Sequence, residues 1–193
     1  MSDSSLSGRR MIMSLVKMKE LLERAQKNNI GCGAFSVGNM EMVRGAIQAA
    51  EELDTPIILQ IAEVRLKHSP LHLMGPMMIQ AAKEAKVDVA VHLDHGLRKE
   101  TCLKALELGF SSIMYDCSTD SYEDNVRKVK EMADIAHSYG ATIEGELGHV
   151  GDNPDSAEGS SHINPADFYT DPKMAKDFVD KTGVDALAIA VGT

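Results

Sequence analysis

The sequence predicts an α/β protein built on parallel strands, and three observations carry that reading. Short apolar runs alternate with amphipathic segments of helical period along the 193 residues. Several runs, such as Ala186-Leu187-Ala188-Ile189-Ala190-Val191, are apolar throughout, as strands buried on both faces are. Polar residues recur at the C-terminal end of nearly every run: Ser36 and Asn39, Gln60, Asp94 and His95, Asp116, Glu146 and Thr193. Parallel neighbours need a crossover, and a helix is the usual one, so the alternation reads as successive βαβ units.

In chain order, residues 1–11 are polar and serine-rich and are expected to be a disordered start, with 12–193 forming the folded unit. Residues 12–26 place Leu15, Met18, Leu22 and Ala25 at helical spacing and predict an opening helix that stops at Asn28-Asn29. Residues 32–37 read as a strand, and 40–53 as a helix with Met42, Val43, Ala46, Ile47 and Ala50 on one side. The alternation continues with strands at 56–61, 87–93, 111–115, 141–147 and 184–191. Helices fall between them at 71–85, 99–108, 122–139 and 172–182. The stretch 148–164 has no apolar period and carries Gly148, Gly151, Gly159 and Pro154; a loop of that length inside a domain is usually functional or mobile.

Composition excludes several classes. Lys and Arg number 20 against 29 Asp and Glu, a net charge of −9, and the basic residues form no stripe or tail. Nucleic acid and anionic membranes are therefore not expected partners. No run approaches the roughly 18 apolar residues of a membrane span, and the start lacks the apolar stretch of a secretory signal. Cys32, Cys102 and Cys117 are odd in number and form no C-x-x-C pair, which fits the reducing cytoplasm rather than a disulfide framework or zinc ribbon. With no Trp and twelve Met, the core is expected to be aliphatic and thioether-rich. An open dinucleotide-binding sheet would show G-x-G-x-x-G after its first strand; Gly31-Cys32-Gly33 comes before or at the strand and lacks the third Gly.

The chemistry concentrates at Val91-His92-Leu93-Asp94-His95-Gly96. Period-two alternation puts His92 and Asp94 on one face there, and His95 leads into the loop. Asp116 ends the next strand, and Glu144 and Glu146 share a face on the one after. Four carboxylates and two imidazoles thus converge on one rim. Gathering that much negative charge is costly without a cation, which points to a divalent metal; imidazole with carboxylate suits Zn2+ or a similar ion.

These residues carry a resemblance. Gly33-Ala34-Phe35-Ser36-Val37, Pro56-Ile57-Ile58-Leu59-Gln60, His92-Leu93-Asp94-His95-Gly96, Ile143-Glu144-Gly145-Glu146-Leu147-Gly148, Tyr169-Thr170-Asp171-Pro172 and residues 182–193 stand in the order and spacing of the class II, metal-dependent fructose- and tagatose-bisphosphate aldolases. The chain resembles that family from about Val16 to Thr193. The resemblance implies a TIM (β/α)8 barrel, of which about the first six units are present here. It implies reversible cleavage of a ketose bisphosphate to dihydroxyacetone phosphate and an aldehyde through a metal-stabilised enediolate. By the same resemblance Asp94 is the catalytic acid/base, His95 a metal ligand, and Asp116 and Glu146 carboxylates for a second or alternative metal position. Gln60, Gly192 and Thr193 are expected to bind substrate, and His92 and Glu144 to stand behind the ligands. No lysine falls within an expected strand, which favours a metal over a Schiff base. A homo-oligomer, dimer or tetramer, is implied as well.

Departures from the family pattern gather where substrate would lie. Ala62 replaces a phosphate-binding Ser, Ser36 and Gly38 replace Asn residues, and Cys117 replaces a Gly. In the long loop Asp152 replaces a second Gly and Pro154 an acidic residue, with Asp155 as a substitute; His149 and His162 are further metal candidates. The chain reaches Thr193 before the family's other two metal imidazoles and its Gly-rich phosphate loop, and about 250 residues are usual for eight units. Two alternatives stay open: a non-catalytic or divergent barrel that serves as a partner subunit, and an aldolase for another ketose phosphate such as a deoxy-keto-gluconate phosphate.

Overall fold

Each described strand pairs only with its neighbours in sequence. The computed structural model describes residues 14–148 and 169–191. Its strands are β1 (Gly33–Ser36), β2 (Ile57–Ala62), β3 (Val89–Gly96), β4 (Ser112–Tyr115), β5 (Thr142–Leu147) and β6 (Ala186–Ile189). Its helices are α1 (Met18–Lys27), α2 (Met40–Glu52), α3 (Leu71–Glu84), α4 (Lys99–Leu108), α5 (Tyr122–Ser138) and α6 (Pro172–Thr182). All five pairings are parallel and the spatial order is β1-β2-β3-β4-β5-β6. A doubly wound sheet reverses its order at a switch point. Here every crossover steps the same way, so the sheet curls into part of a barrel with α2 to α6 outside.

Local chemistry fixes the element ends. Asn39, Ser121 and Asp171 accept hydrogen bonds from backbone N–H groups in the first turns of α2, α5 and α6, and Pro172 opens α6. Gly109 and Gly183 end α4 and α6 with φ of +95° and +73°, a left-handed turn in which a side chain would be strained.

The opening helix is shorter than its apolar spacing predicts. Ser14 accepts from Val89 N–H at 2.7 Å and Val89 accepts from Val16 N–H at 3.0 Å, so Ser14 to Val16 run extended along the start of β3. The helix therefore begins at Met18, and Met18, Leu21 and Ala25 are its buried residues rather than Leu15 and Leu22. The last strand also departs from expectation. β6 is the sheet edge among the described residues and is only half-buried, with Ile189 53% exposed, although its sequence is apolar throughout.

Period-two alternation divides the sheet. Leu59 and Ile61, Val89, Val91 and Leu93, Ile113, and Ile143 face the outer helices and form the main core with Met78, Cys102, Met132 and Phe178. The opposite face starts apolar at the floor, where Ile58 and Ala90 pack on Met18 and Leu21 of α1. It turns polar upward: Gln60 pairs with His92 in register, Ala62 with Asp94, and Met114 with Glu144. The inner face thus delivers its polar side chains to the C-terminal rim. No described helix is long and apolar enough to cross a membrane. The expected disordered start, the 149–164 stretch with His149, Asp152, Pro154, Asp155 and His162, and the substrate candidates Gly192 and Thr193 lie outside the described residues.

Candidate metal centre and active site

The rim is built where β3 ends. The ladder between β3 and β4 shifts register between Leu93 and Gly96, and His95 takes a φ of +42°. That left-handed conformation is disfavoured for a side chain bearing a Cβ. It turns the His95 ring toward β4 and β5, where alternation alone would place it on the opposite face from Asp94. Nδ1 of His95 lies 2.8 Å from Oδ2 of Asp116 and 3.7 Å from Oε2 of Glu146, and its Nε2 is 4.0 Å from Oδ1 of Asp94.

One ligand atom from each of His95, Asp116 and Glu146 lies within 4.8 Å of the other two. Three donors of imidazole and carboxylate type at that separation suit a divalent cation such as zinc. The sequence places all three at strand ends, and the structure brings them together.

Asp94 stands beside this cluster. Its Oδ2 accepts from Nε2 of Gln60 at 3.1 Å, and the same Gln60 nitrogen donates to Oγ of Ser36 at 3.2 Å. Burial pushes the Asp94 carboxyl up; positive charge on His95 opposes this and the Asp116 carboxylate adds to it. Burial thus favours the protonated Asp94 carboxyl, and positive charge at the cluster favours the ionised one.

The remaining electrostatics follow from spacing. The Asp116 hydrogen bond raises the His95 imidazole to about 9 against a burial cost, with Asp94 and Glu146 adding to it. For Asp116 burial alone would raise the carboxyl, but His95 and Ser118 outweigh it and hold it at about 2. Both the N–H and the hydroxyl of Ser118 donate to Oδ1 of Asp116, at 3.0 and 2.7 Å, which turns Oδ2 toward His95. His92, 2% exposed, sits lower, with Nδ1 2.8 Å from Oγ of Ser112 and Nε2 3.4 Å from Oε2 of Glu144. Burial, with repulsion from His95, lowers the His92 imidazole to about 3. Burial and the nearby Asp94 charge raise Glu144 to about 7. The His92 ring and the Glu144 carboxyl thus lie side by side between β3 and β5.

Two residues of this network escape the sequence reading: Ser118 and Asn125. Asn125 is buried on α5, and its Nδ2 donates to the carbonyl of Glu146 at 3.0 Å. Its signal is a polar residue in register with Val129, Met132, Ala133 and Ala136 on the buried face of α5. The signal for Ser118 is an Asp-x-Ser turn just after a strand. No described strand carries a lysine. His68, His72 and His137 are exposed, but His137 is engaged, with Nε2 3.0 Å from Oδ2 of Asp185.

Comparisons with known proteins show the family. The family model described as fructose-bisphosphate aldolase class-II matches residues 16–193. A fructose-bisphosphate aldolase of Thermus caldophilus is 41% identical over 180 residues, covering 93% of this chain and 57% of the relative. Another, of Giardia intestinalis, is 38% identical over 182 residues, covering 94% and 54%. This chain thus spans somewhat more than half the length of these relatives. Among solved structures, the YdjI aldolase of Escherichia coli K12 matches with a TM-score of 0.81 at 34% identity, covering 92% of this chain and 62% of that one. A fructose-bisphosphate aldolase of Campylobacter jejuni, 22% identical with a TM-score of 0.73, shares the fold over 92% of this chain and 59% of its own. The protein belongs to the class II fructose-bisphosphate aldolase family.

Proposed function

We propose that this site performs class II aldol chemistry on a phosphorylated ketose: reversible cleavage of a fructose- or tagatose-type bisphosphate into dihydroxyacetone phosphate and an aldehyde. The observation that carries the reading is the His95, Asp116 and Glu146 triad with Asp94 alongside, at the end of the strands of a partial barrel. His95, Asp116 and Glu146 would hold the cation, and zinc fits the mixed donor set best. When bound, the cation acts as a Lewis acid toward the ketone.

The chain's own residues do the rest. Asp94 takes the proton from the hydroxyl on the carbon whose bond to its neighbour breaks, and returns it in the condensation direction. Gln60, donating to Asp94, turns the carboxylate so that Oδ1 faces the cluster. Ser118 and Asn125 hold Asp116 and the Glu146 backbone in place. Gly192 and Thr193 are assigned to the substrate as expected from the sequence.

Free Cys32, Cys102 and Cys117 support a cytoplasmic protein. We infer a homo-oligomer, dimer or tetramer, from the family resemblance, and sedimentation of the chain tests it.

The test is a retro-aldol assay on fructose, tagatose and deoxy-keto-gluconate phosphates, with and without a chelator. Cleavage is expected to disappear with the chelator, return with zinc, and fall about 10²- to 10⁴-fold in Asp94→Ala. Cleavage unchanged by that substitution overturns the assignment, and cleavage of only the third substrate moves it to that ketose.

A further inference from the structure

Glu63 is a buried carboxylate for which the proposed reaction has no use. It follows β2 directly, in a single 3-10 turn, and is 7% exposed. Burying an anion is costly unless its lone pairs are filled. Here four donors fill them. Oε2 accepts from the N–H groups of Leu97 and Arg98 at 2.7 and 3.1 Å, and Oε1 accepts from Nε of Arg98 and from the Thr101 hydroxyl at 2.8 Å. Burial would raise this carboxyl, yet those donors hold it below its ordinary value, so it is charged. Arg98 precedes α4 and offers no side-chain cap, so Glu63 caps that helix from a neighbouring strand end.

The backbone it grips is the exit from the metal centre. His95 holds a left-handed φ that is disfavoured in a residue with a Cβ, and such strain persists only where the surroundings enforce it. Gly96 comes next. A Cβ there would lie 2.6 Å from Sγ of Cys102 and 2.7 Å from the Met114 carbonyl, and the Gly96 carbonyl accepts from the N–H of Asp116 at 3.0 Å. The following two N–H groups are those bound by Glu63. On the other side, Ala62, the residue before Glu63, is the register partner of Asp94.

We propose that Glu63 is a positioning residue for the metal centre: by fixing the backbone of Leu97 and Arg98 it enforces the left-handed turn at His95 and the Gly96–Asp116 hydrogen bond, and so sets the distance between the two ligands. The proposal rests on the reading of His95 and Asp116 as ligands. A residue that merely capped α4 would change stability and nothing else.

The test uses the full chain, with zinc affinity measured by chelator competition and amide hydrogen exchange measured on the zinc-free protein. Glu63→Gln keeps the size of the side chain but leaves one acceptor oxygen for four donors. Its zinc affinity is expected to fall about 10- to 100-fold, the range for residues that orient metal ligands. Exchange at the Asp116 amide is expected to quicken about tenfold while α5 amides keep their rates. Thr101→Val, which removes a single donor, is expected to show a smaller loss in the same direction and keeps the test open if Glu63→Gln does not fold. Leu21→Ala, remote at the floor, lowers the melting temperature and leaves zinc affinity alone. Wild-type zinc affinity and wild-type Asp116 exchange in both Glu63→Gln and Thr101→Val overturn the proposal. A wild-type chain that binds no zinc refutes the ligand reading instead, and Asp116 exchange then decides the role of Glu63 by itself.

Discussion

At the floor of the barrel, the carboxylate of Asp185 is met by donors: Nζ of Lys19 at 2.9 Å, Nε2 of His137 at 3.0 Å and the N–H of Ile143 at 3.1 Å. These come from α1, α5 and β5, so one anion ties three elements together. At the rim, four carboxylates, those of Asp94, Asp116, Glu144 and Glu146, face His92, which burial keeps neutral, and His95. The floor closes its charge within the protein, whereas the rim leaves an excess of negative charge gathered around a strained backbone. A buried charge closed by its neighbours serves stability, and one left in excess needs a ligand of opposite sign. Separation of stability from chemistry along the strands is the rule for such barrels, and in this chain it is visible in single residues.

The largest expected effect separates the two ends outright. His95→Ala should weaken zinc binding about 100-fold or more, because a few ligands share a total of roughly 10–16 kcal/mol. Thermal unfolding of the zinc-free variant should stay close to wild type. A melting temperature that falls as steeply as the affinity breaks the division.

Leu21→Ala is the converse at the floor. The side chain is 2% exposed and packs with Met18, Ile58 and Ala90, so its removal should cost about 2–5 kcal/mol in denaturant unfolding with zinc affinity unchanged.

Asp185→Asn should cost less, about 1–3 kcal/mol, by leaving its donors with a weaker partner. It also carries a pH signature. Burial alone would raise the Asp185 carboxyl, but the Lys19, Ile143 and His137 hydrogen bonds outweigh it and hold it below the ordinary 3.8. A depressed carboxylate stabilises the fold fully above its unfolded value, and that contribution is lost as pH falls through the lower folded value. Unfolding free energy measured below about pH 4 should therefore fall less steeply in Asp185→Asn than in wild type. The smallest effect is expected at the exposed Arg24–Asp88 pair, also at the floor. Arg24→Ala should move stability by about 0.5 kcal/mol or less, since exposed ion pairs contribute little.

The same contrast explains what was legible in the sequence. Helices α4 and α6 match their expected bounds residue for residue, because the glycine stops of both and the Asp171 cap of α6 are local signals. Asp94, His95, Asp116 and Glu146 are legible because period-two alternation and strand ends are local as well. The start of α1 is not, since Ser14 to Val16 pair with Val89 more than seventy residues away. The exposure of β6 is set by its place at the sheet edge, which its apolar sequence does not reveal. Glu63 and Asn125 act by holding backbone, and a side chain's backbone partners are fixed by the curl of the sheet. The left-handed turn at His95, which joins ligands from three strands, has no signature in His-Gly alone.

Titrating chelator-treated protein with zinc, while following bound metal and retro-aldol cleavage together, tests the central claim most directly. Binding and cleavage should rise together and saturate at about one zinc per chain for a single site, with His95→Ala losing both and Asp94→Ala binding zinc without cleaving. Full cleavage in the chelated protein, or zinc binding that survives unchanged in His95→Ala, would contradict it.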